Sequence, residues 1–275
     1  MQLADLPFGY MYVVRLRTPV RAISLLLTEW LPLALALKIA YSASFWLSIL
    51  MLAGNFALYE CGYFVNDLAD SASDPNGDHL EGRRINSWTF VGSHLFVLLL
   101  VTATLFILKG ARFAITYSSL AALVLLVFFW HTSRRPRSLR FLRIFTFGAL
   151  SLYKFVPVVI PWVSLADAQT VLLVLFFCWG LWRIISYTLI KFGNKQLTSQ
   201  GQDFDPLRLF HVLSLVLCAP LFLVVRSNGP SARAALVIWI TYMGLALLRT
   251  GYQLSTWKLT QAHYLGERAK MPLAQ

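Results

Sequence analysis

The sequence predicts an all-α fold, a polytopic transmembrane bundle of about eight helices that forms a single integral-membrane domain over residues 1–275. Hydrophobic residues make up 58% of the chain and charged residues only 13%, whereas a soluble domain carries about a quarter charged residues. Many apolar runs reach the roughly 20 residues that cross a bilayer as a helix. These runs are continuous and rich in leucine rather than alternating, which favours helices over a membrane β-barrel.

Eight apolar runs are the candidate spans, near residues 22–40, 43–65, 88–108, 112–130, 142–163, 168–190, 207–226 and 232–250. The fifth run contains Pro157 and Pro161. Because proline interrupts helical hydrogen bonding, this span is expected to be kinked or broken near one end. The mixed residues before the first run, and the length of that run, are not typical of a cleavable signal peptide.

Basic residues are distributed unevenly around these spans. Most of the 24 lysines and arginines fall in the two terminal segments and in the loops 66–87, 131–141 and 191–206 with their flanks. Alternate crossing places all of these segments on one side. The positive-inside rule therefore predicts a protein of the bacterial inner membrane, with both termini and the 66–87 loop in the cytoplasm. Nucleic-acid binding is a poor interpretation of the net charge of +12, because the basic residues flank the membrane.

An acidic cluster follows the second span and holds five of the twelve acidic residues, namely Asp67, Asp70, Asp74, Asp78 and Glu81. Asp67, Asp70 and Asp74 are spaced i, i+3 and i+7, so they share one face if the helix continues past the membrane edge. Converging carboxylates repel each other unless a cation lies among them, and their oxygens suit Mg²⁺. The spacing predicts a Mg²⁺ site that holds a diphosphate. A solvated loop is the alternative, whereas a calcium loop is excluded because Ile85 stands where its closing glutamate belongs.

The order Asn66-Asp67-x-x-Asp70-x-x-x-Asp74 at the end of the second span resembles the first aspartate-rich motif of the UbiA superfamily of intramembrane prenyltransferases. The basic loop "HTSRRPRSLRFLR" and a polar segment after the sixth span resemble the layout of that family. The resemblance implies a UbiA-like bundle, commonly of nine helices. It also implies that an isoprenoid diphosphate is bound through Mg²⁺ and ionised, and that its prenyl group passes to an acceptor in a lipid-facing chamber.

One part of the family pattern is missing. The second aspartate triplet expected after the sixth span is absent, and Arg183, Tyr187, Lys191 and Lys195 recur there every fourth residue. Such spacing forms one ridge on a helix, which we expect to contact phosphate oxygens. Snorkelling of the lysines to lipid headgroups is the alternative.

The remaining candidate residues complete this hypothesis. Lys154 lies inside the fifth span, where a charge commonly marks a functional site. Glu60 in the second span is expected to pair with Lys154 or Arg183, or to shape the acceptor pocket. The expected catalytic residues are Asp67, Asp70, Tyr187 and Lys191, and the expected substrate-binding residues are Asn66, Asp74, Arg183, Lys154, Arg83, Arg134 and Lys195.

The predicted function is Mg²⁺-dependent transfer of a prenyl group from an isoprenoid diphosphate to a small or lipidic acceptor. Three other interpretations stay open. One is phosphoribosyl transfer from phosphoribosyl pyrophosphate to a polyprenyl phosphate, and another is terpene cyclisation without an acceptor. The third is not an enzyme but a transporter or a protein that binds diphosphate lipids.

Overall fold

The computed structural model describes residues 3–16, 18–71, 85–132, 141–192, 211–216 and 229–268. These residues are helical with short connections, and no strand occurs among them. The α-helices in chain order are α1 (Pro19–Leu25), α2 (Leu31–Tyr41), α3 (Phe45–Ser71), α4 (Ser87–Lys109), α5 (Ala111–Thr132), α6 (Leu142–Tyr153), α7 (Val156–Val159), α8 (Leu165–Leu175), α9 (Leu181–Phe192) and α10 (Pro230–Arg268). Residues 211–216 are also helical.

Within the described ranges, seven helical segments are long and apolar enough to cross a membrane: Ala22–Tyr41, Phe45–Leu68, Ser87–Lys109, Ala111–Thr132, Leu142–Val159, Leu165–Thr188 and Pro230–Tyr252. They match seven of the eight predicted spans and confirm an all-helical membrane protein. The remaining predicted span, 207–226, is described only at residues 211–216.

Two of the spans each contain a π-helical turn. Leu26–Trp30 joins α1 to α2, and Phe176–Gly180 joins α8 to α9. The wider turn keeps each span continuous and redirects the side chains on it, and such turns occur frequently at functional sites.

The predicted break in the fifth span is confirmed. Helix α6 ends at Tyr153 and α7 begins at Val156, with Pro157 in its first turn, the helical position that proline tolerates best. Helix α3 donates to two backbone carbonyls at this break, and one of them, the Leu150 carbonyl, also accepts the Lys154 N–H at 3.4 Å. The Asn55 side chain donates to the Lys154 carbonyl at 2.6 Å, and the Tyr59 hydroxyl donates to the Leu150 carbonyl.

Helix α3 lies at the centre of the described bundle. It packs against α2, α4, α5 and α7, and 72% of its most apolar stretch is buried, compared with 17% for α4. Close approach depends on glycines, since a Cβ atom on Gly62 would lie 2.2 Å from the Phe128 ring of α5. By contrast, a Cβ atom on Gly92 in α4 would meet nothing within 4 Å.

Gly62→Ala is expected to destabilise the bundle. The added methyl group would push α3 and α5 apart, at a cost of about 1–3 kcal/mol for overpacking. Thermal unfolding in detergent measures the effect. Gly92→Ala is the matched control, and it should leave stability unchanged or raise it slightly because alanine is the better helix former. Equal melting temperatures for the two variants would contradict the close approach of α3 to α5.

Candidate functional site

A buried ion pair connects the first span to the break in the fifth. Lys154 Nζ lies 2.6 Å from Glu29 Oε1, and the two side chains are 13% and 8% exposed. Glu29 lies in the π-helical turn Leu26–Trp30. Two charges removed from water inside a membrane span are costly to bury, which makes this pair a marker of function.

The sequence analysis identified Lys154 but missed Glu29. A signal was present, because Glu29 is the single acidic residue in the first apolar run. Its partner lies 125 residues further along the chain, so spacing alone does not connect the two.

A small, partly open pocket surrounds this ion pair. Its lining is mainly aromatic and apolar, and consists of Glu29, Trp30, Leu52, Asn55, Phe56, Tyr59, Lys154 and Phe155. The Asn55 Nδ2 group and the Tyr59 hydroxyl are occupied by the carbonyls of the α6–α7 break. The buried Asn55 Oδ1 atom has no hydrogen-bond partner among the described residues. A ligand that presents a hydrogen-bond donor would satisfy it.

Two cations lie over one indole ring near this pocket. Lys154 Nζ is 5.6 Å from the Trp179 ring centroid, and Arg183 Cζ is 5.8 Å from it. Arg183 also lies 5.7 Å from the Phe147 centroid. Cations over aromatic faces are attracted by the ring quadrupole, most strongly by tryptophan.

Arg183 and Lys154 differ in how their positive charges are compensated. Lys154 is neutralised by Glu29, whereas Arg183 has ring contacts but no hydrogen bond or ion pair within the described part of the chain. The side chain of Arg183 therefore presents its positive charge near Trp179 without a compensating carboxylate. An anionic ligand would supply that compensation.

The predicted ridge on the sixth span is partly described. Helix α9 carries Arg183, Tyr187 and Lys191 on one continuous helix. The Tyr187 ring stacks on Phe147 at 4.1 Å between centroids and lies 6.3 Å from the His131 ring. Tyr187 on α9 therefore packs against residues of α5 and α6. The Lys191 side chain and the whole of Lys195 lie outside the described residues.

Glu60 is not part of the pocket. Its Oε1 accepts a 2.8 Å hydrogen bond from the Met11 N–H, and its Oε2 accepts one from the Phe8 N–H. The same Oε2 lies 3.0 Å from His94 Nε2, and the side chains of both residues are fully buried. The prediction that Glu60 pairs with Lys154 or Arg183 is therefore wrong. Glu60 lies on the face of α3 that turns toward α4 and the amino terminus.

Asp67 contacts the same amino-terminal segment. The buried Tyr10 hydroxyl donates to Asp67 Oδ2, and both side chains are fully buried. We name residues 3–16 the amino-terminal strap. Glu60 and Asp67 hold this strap from positions two turns apart on one face of α3, as their spacing of seven residues predicts.

The strap also touches the residues that line the pocket. The Phe8 ring stacks on Phe56 at 6.0 Å and meets Trp30 edge-on at 6.3 Å. Phe8 adopts a positive φ of 67°, a conformation that is uncommon for residues other than glycine. The next residue, Gly9, allows the turn, because a Cβ there would lie 1.8 Å from the Leu3 carbonyl oxygen.

The acidic motif begins on helix, as the spacing argument requires, since α3 extends to Ser71. Asn66 follows Asn55 by eleven residues, which places it near the pocket-facing side of a helix with 3.6 residues per turn. Asp67 instead shares the direction of Glu60.

Much of the predicted metal site lies outside the described residues. This applies to the Asp70 side chain and to the whole of Asp74, Arg83 and Arg134. The described His, Cys, Asp and Glu residues include no group of three placed to hold a metal ion. The Mg²⁺ site, and the role of Asp67 in it, stay predictions.

No family model, curated protein sequence or solved structure matches this chain. The likeness to the UbiA superfamily consequently rests on the motif at residues 66–74 and on the helical layout. The functional argument rests on the chemistry of the residues described above.

Glu60→Ala is expected to release the strap. The substitution removes the acceptor of two backbone N–H groups and the partner of His94 Nε2, so a loss of about 1–3 kcal/mol in folding free energy is expected for each buried group left unsatisfied. Hydrogen exchange followed by mass spectrometry should show lost protection at Phe8 and Met11.

Asp167→Ala is the control for this experiment. Asp167 lies at the start of α8 and bonds Ser164 there, so protection of the strap should be unchanged. Full protection of the strap in Glu60→Ala would mean that other contacts hold it.

Proposed function

We propose that the chain is a Mg²⁺-dependent intramembrane transferase. It would ionise an isoprenoid diphosphate and transfer the prenyl group to a small or lipidic acceptor. The observation that carries the proposal is the single helix α3, which extends from the pocket at Asn55 to the acidic motif at Asp70. The helix would thus connect the predicted phosphate site with the pocket.

The diphosphate would bind at the motif end of α3. Carboxylate and amide oxygens are ligands that Mg²⁺ accepts, so Asn66, Asp70 and Asp74 fit the ion by their chemistry. The ion, when bound, would neutralise the diphosphate and stabilise the departing pyrophosphate. Asp67 would hold the end of α3 in place through Tyr10.

Arg183 would provide a direct phosphate contact. It carries no ion pair within the described part of the chain and lies over Phe147 and Trp179, on the helix that also carries Tyr187 and Lys191. Tyr187 and Lys191 would extend this contact toward the motif. This cationic ridge would supply charge that the family pattern places in a second aspartate site.

The acceptor would bind in the pocket beneath the diphosphate. Tyr59 lies at the pocket and Asn66 at the start of the motif, seven residues or about 10 Å apart along the helix axis. The aromatic lining would exclude water from the reaction and attract an allylic cation through the ring faces. Trp30, Phe56 and Phe155 belong to this lining.

The first test is pyrophosphate release by the purified protein in nanodiscs. Farnesyl, geranylgeranyl and phosphoribosyl donors are each supplied with and without Mg²⁺, with total membrane lipid extract as the source of acceptor. We expect Mg²⁺-dependent release from a prenyl donor, and at least a 100-fold loss in Asp70→Asn. Release from the phosphoribosyl donor alone would replace prenyl transfer by phosphoribosyl transfer. No release from any donor would overturn the proposal.

A second test concerns the cationic ridge. Arg183→Gln should raise the KM for the diphosphate donor about 10-fold or more, since hydrogen bonds to charged groups contribute about 1.5–3 kcal/mol. Arg112→Gln is the matched control because Arg112 is exposed at the opposite end of the bundle. An unchanged KM in Arg183→Gln would exclude the direct phosphate contact.

A third test separates the roles of Asp67 and Asp70. If Asp67 acts through the strap, Asp67→Asn and Tyr10→Phe should lose similar thermal stability while both keep the Mg²⁺ dependence of the wild type. Asp70→Asn should instead raise the Mg²⁺ concentration needed for half-maximal rate. A shifted Mg²⁺ requirement in Asp67→Asn but not in Tyr10→Phe would identify Asp67 as a metal ligand.

A further inference from the structure

The transfer reaction described above assigns no role to one residue of the pocket. Among the described residues that line the pocket, Glu29 is the one carboxylate. We propose that Glu29 is the base that takes the proton which the acceptor loses during transfer. This inference rests on the proposed function, and it assigns a catalytic role to a residue outside the acidic motif and the cationic ridge.

The reaction requires such a base because a proton is released. The C–O bond of the prenyl diphosphate breaks, and its electron pair leaves with pyrophosphate. The acceptor then donates an electron pair to the prenyl carbon, and the X–H bond of the acceptor breaks to release H⁺. In a pocket lined mainly by aromatic and apolar side chains, a positioned carboxylate is the available destination for that proton.

The pocket can direct an acceptor to Glu29. The Tyr59 hydroxyl already donates to the Leu150 carbonyl, while Asn55 Oδ1 is a buried acceptor without a partner among the described residues. An acceptor with an O–H or N–H group would satisfy Asn55 Oδ1. Its reacting atom would then lie among the same lining residues as the Glu29 carboxylate.

The ion pair with Lys154 gives proton uptake a second consequence. Before transfer, Glu29 neutralises Lys154 at 2.6 Å. Once Glu29 is protonated, Lys154 keeps its positive charge but loses its counter-ion. Lys154 then joins Arg183 over Trp179 as a second uncompensated cation, at the moment when pyrophosphate carries away its negative charge. Lys154 would thus contact phosphate, as the sequence predicts, only after Glu29 accepts the proton.

The location of Glu29 agrees with a catalytic role. Glu29 lies in the π-helical turn Leu26–Trp30 of the first span. Trp179 lies in the π-helical turn Phe176–Gly180, which joins α8 to α9. Both turns direct their side chains toward the same charged centre. A structural ion pair would not need the adjacent unsatisfied acceptor on Asn55.

The test compares product formation with pyrophosphate release. Radiolabelled farnesyl diphosphate is supplied to the full-length protein in nanodiscs, with phenol as a small O–H acceptor and, in parallel, total membrane lipid extract. In Glu29→Gln we expect kcat for transfer to fall about 100-fold, within the range that general bases contribute. The donor KM should stay within two-fold of the wild type, and the ratio of transferred prenyl to released pyrophosphate should fall at least 10-fold.

Two further variants separate catalysis from folding. Glu29→Asp keeps a carboxylate and should recover part of the ratio lost in Glu29→Gln, even if both variants unfold at a lower temperature. Lys154→Met removes the cation that contacts phosphate after transfer but keeps the carboxylate, so it should lower kcat without the fall in the ratio that marks Glu29→Gln. A purely structural ion pair would make the Glu29→Gln and Lys154→Met variants behave alike.

The possible failures are distinguishable. If wild-type protein transfers prenyl groups and Glu29→Gln keeps the wild-type ratio, Glu29 is not the base and the proposed function stands. If the donor KM rises while kcat is unchanged, Glu29 only shapes the pocket, and the inference is again overturned. If wild-type protein ionises no donor, the proposed function fails and the role of Glu29 fails with it.

Discussion

The described structure depends on the hydrogen bonds that α3 donates to backbone carbonyls at the break in the fifth span. A helix break inside a membrane exposes carbonyls to a medium without water, and an unpaired polar group there is expensive. Asn55 removes this cost at the Lys154 carbonyl, and Tyr59 adds a second bond to the Leu150 carbonyl, which also accepts the Lys154 N–H. The break in the fifth span can therefore exist within the bundle, and with it the turn that carries Lys154 to Glu29.

The second polar face of α3 forms hydrogen bonds with a different segment, the amino-terminal strap. Glu60 accepts two backbone N–H groups of the amino-terminal strap, and Asp67 receives the Tyr10 hydroxyl. Both faces thus use polar side chains to bind irregular backbone or a distant segment to the central helix. One face supports the pocket directly, and the other supports it through Phe8, which stacks on Phe56.

Charge in the interior is balanced unequally, and this imbalance links the structure to the proposed chemistry. Lys154 has Glu29, whereas Arg183 has only aromatic faces among the described residues. The neutral pair in the pocket and the nearby Arg183, which has no ion pair among the described residues, would together favour an anionic ligand. The cost of burying these groups would be recovered when the ligand binds or reacts, which is the usual reason that charges persist within membrane spans.

The sequence by itself determined the elements of this protein. Apolar runs of about 20 residues identified the seven described spans because the bilayer sets their length. Pro157 located the break in the fifth span because proline cannot continue the helical hydrogen bonding, and the spacing of the acidic motif agreed with a helix that extends to Ser71.

Only the tertiary structure decided which charges meet. Glu29 and Lys154 are distant in sequence, and local periodicity carries no information about the rotation of one helix relative to another. The same limit explains the wrong partner predicted for Glu60. Its spacing correctly placed it on one face with Asp67, but the packing of α3 against α4 and the strap turned that face toward His94 and away from the pocket.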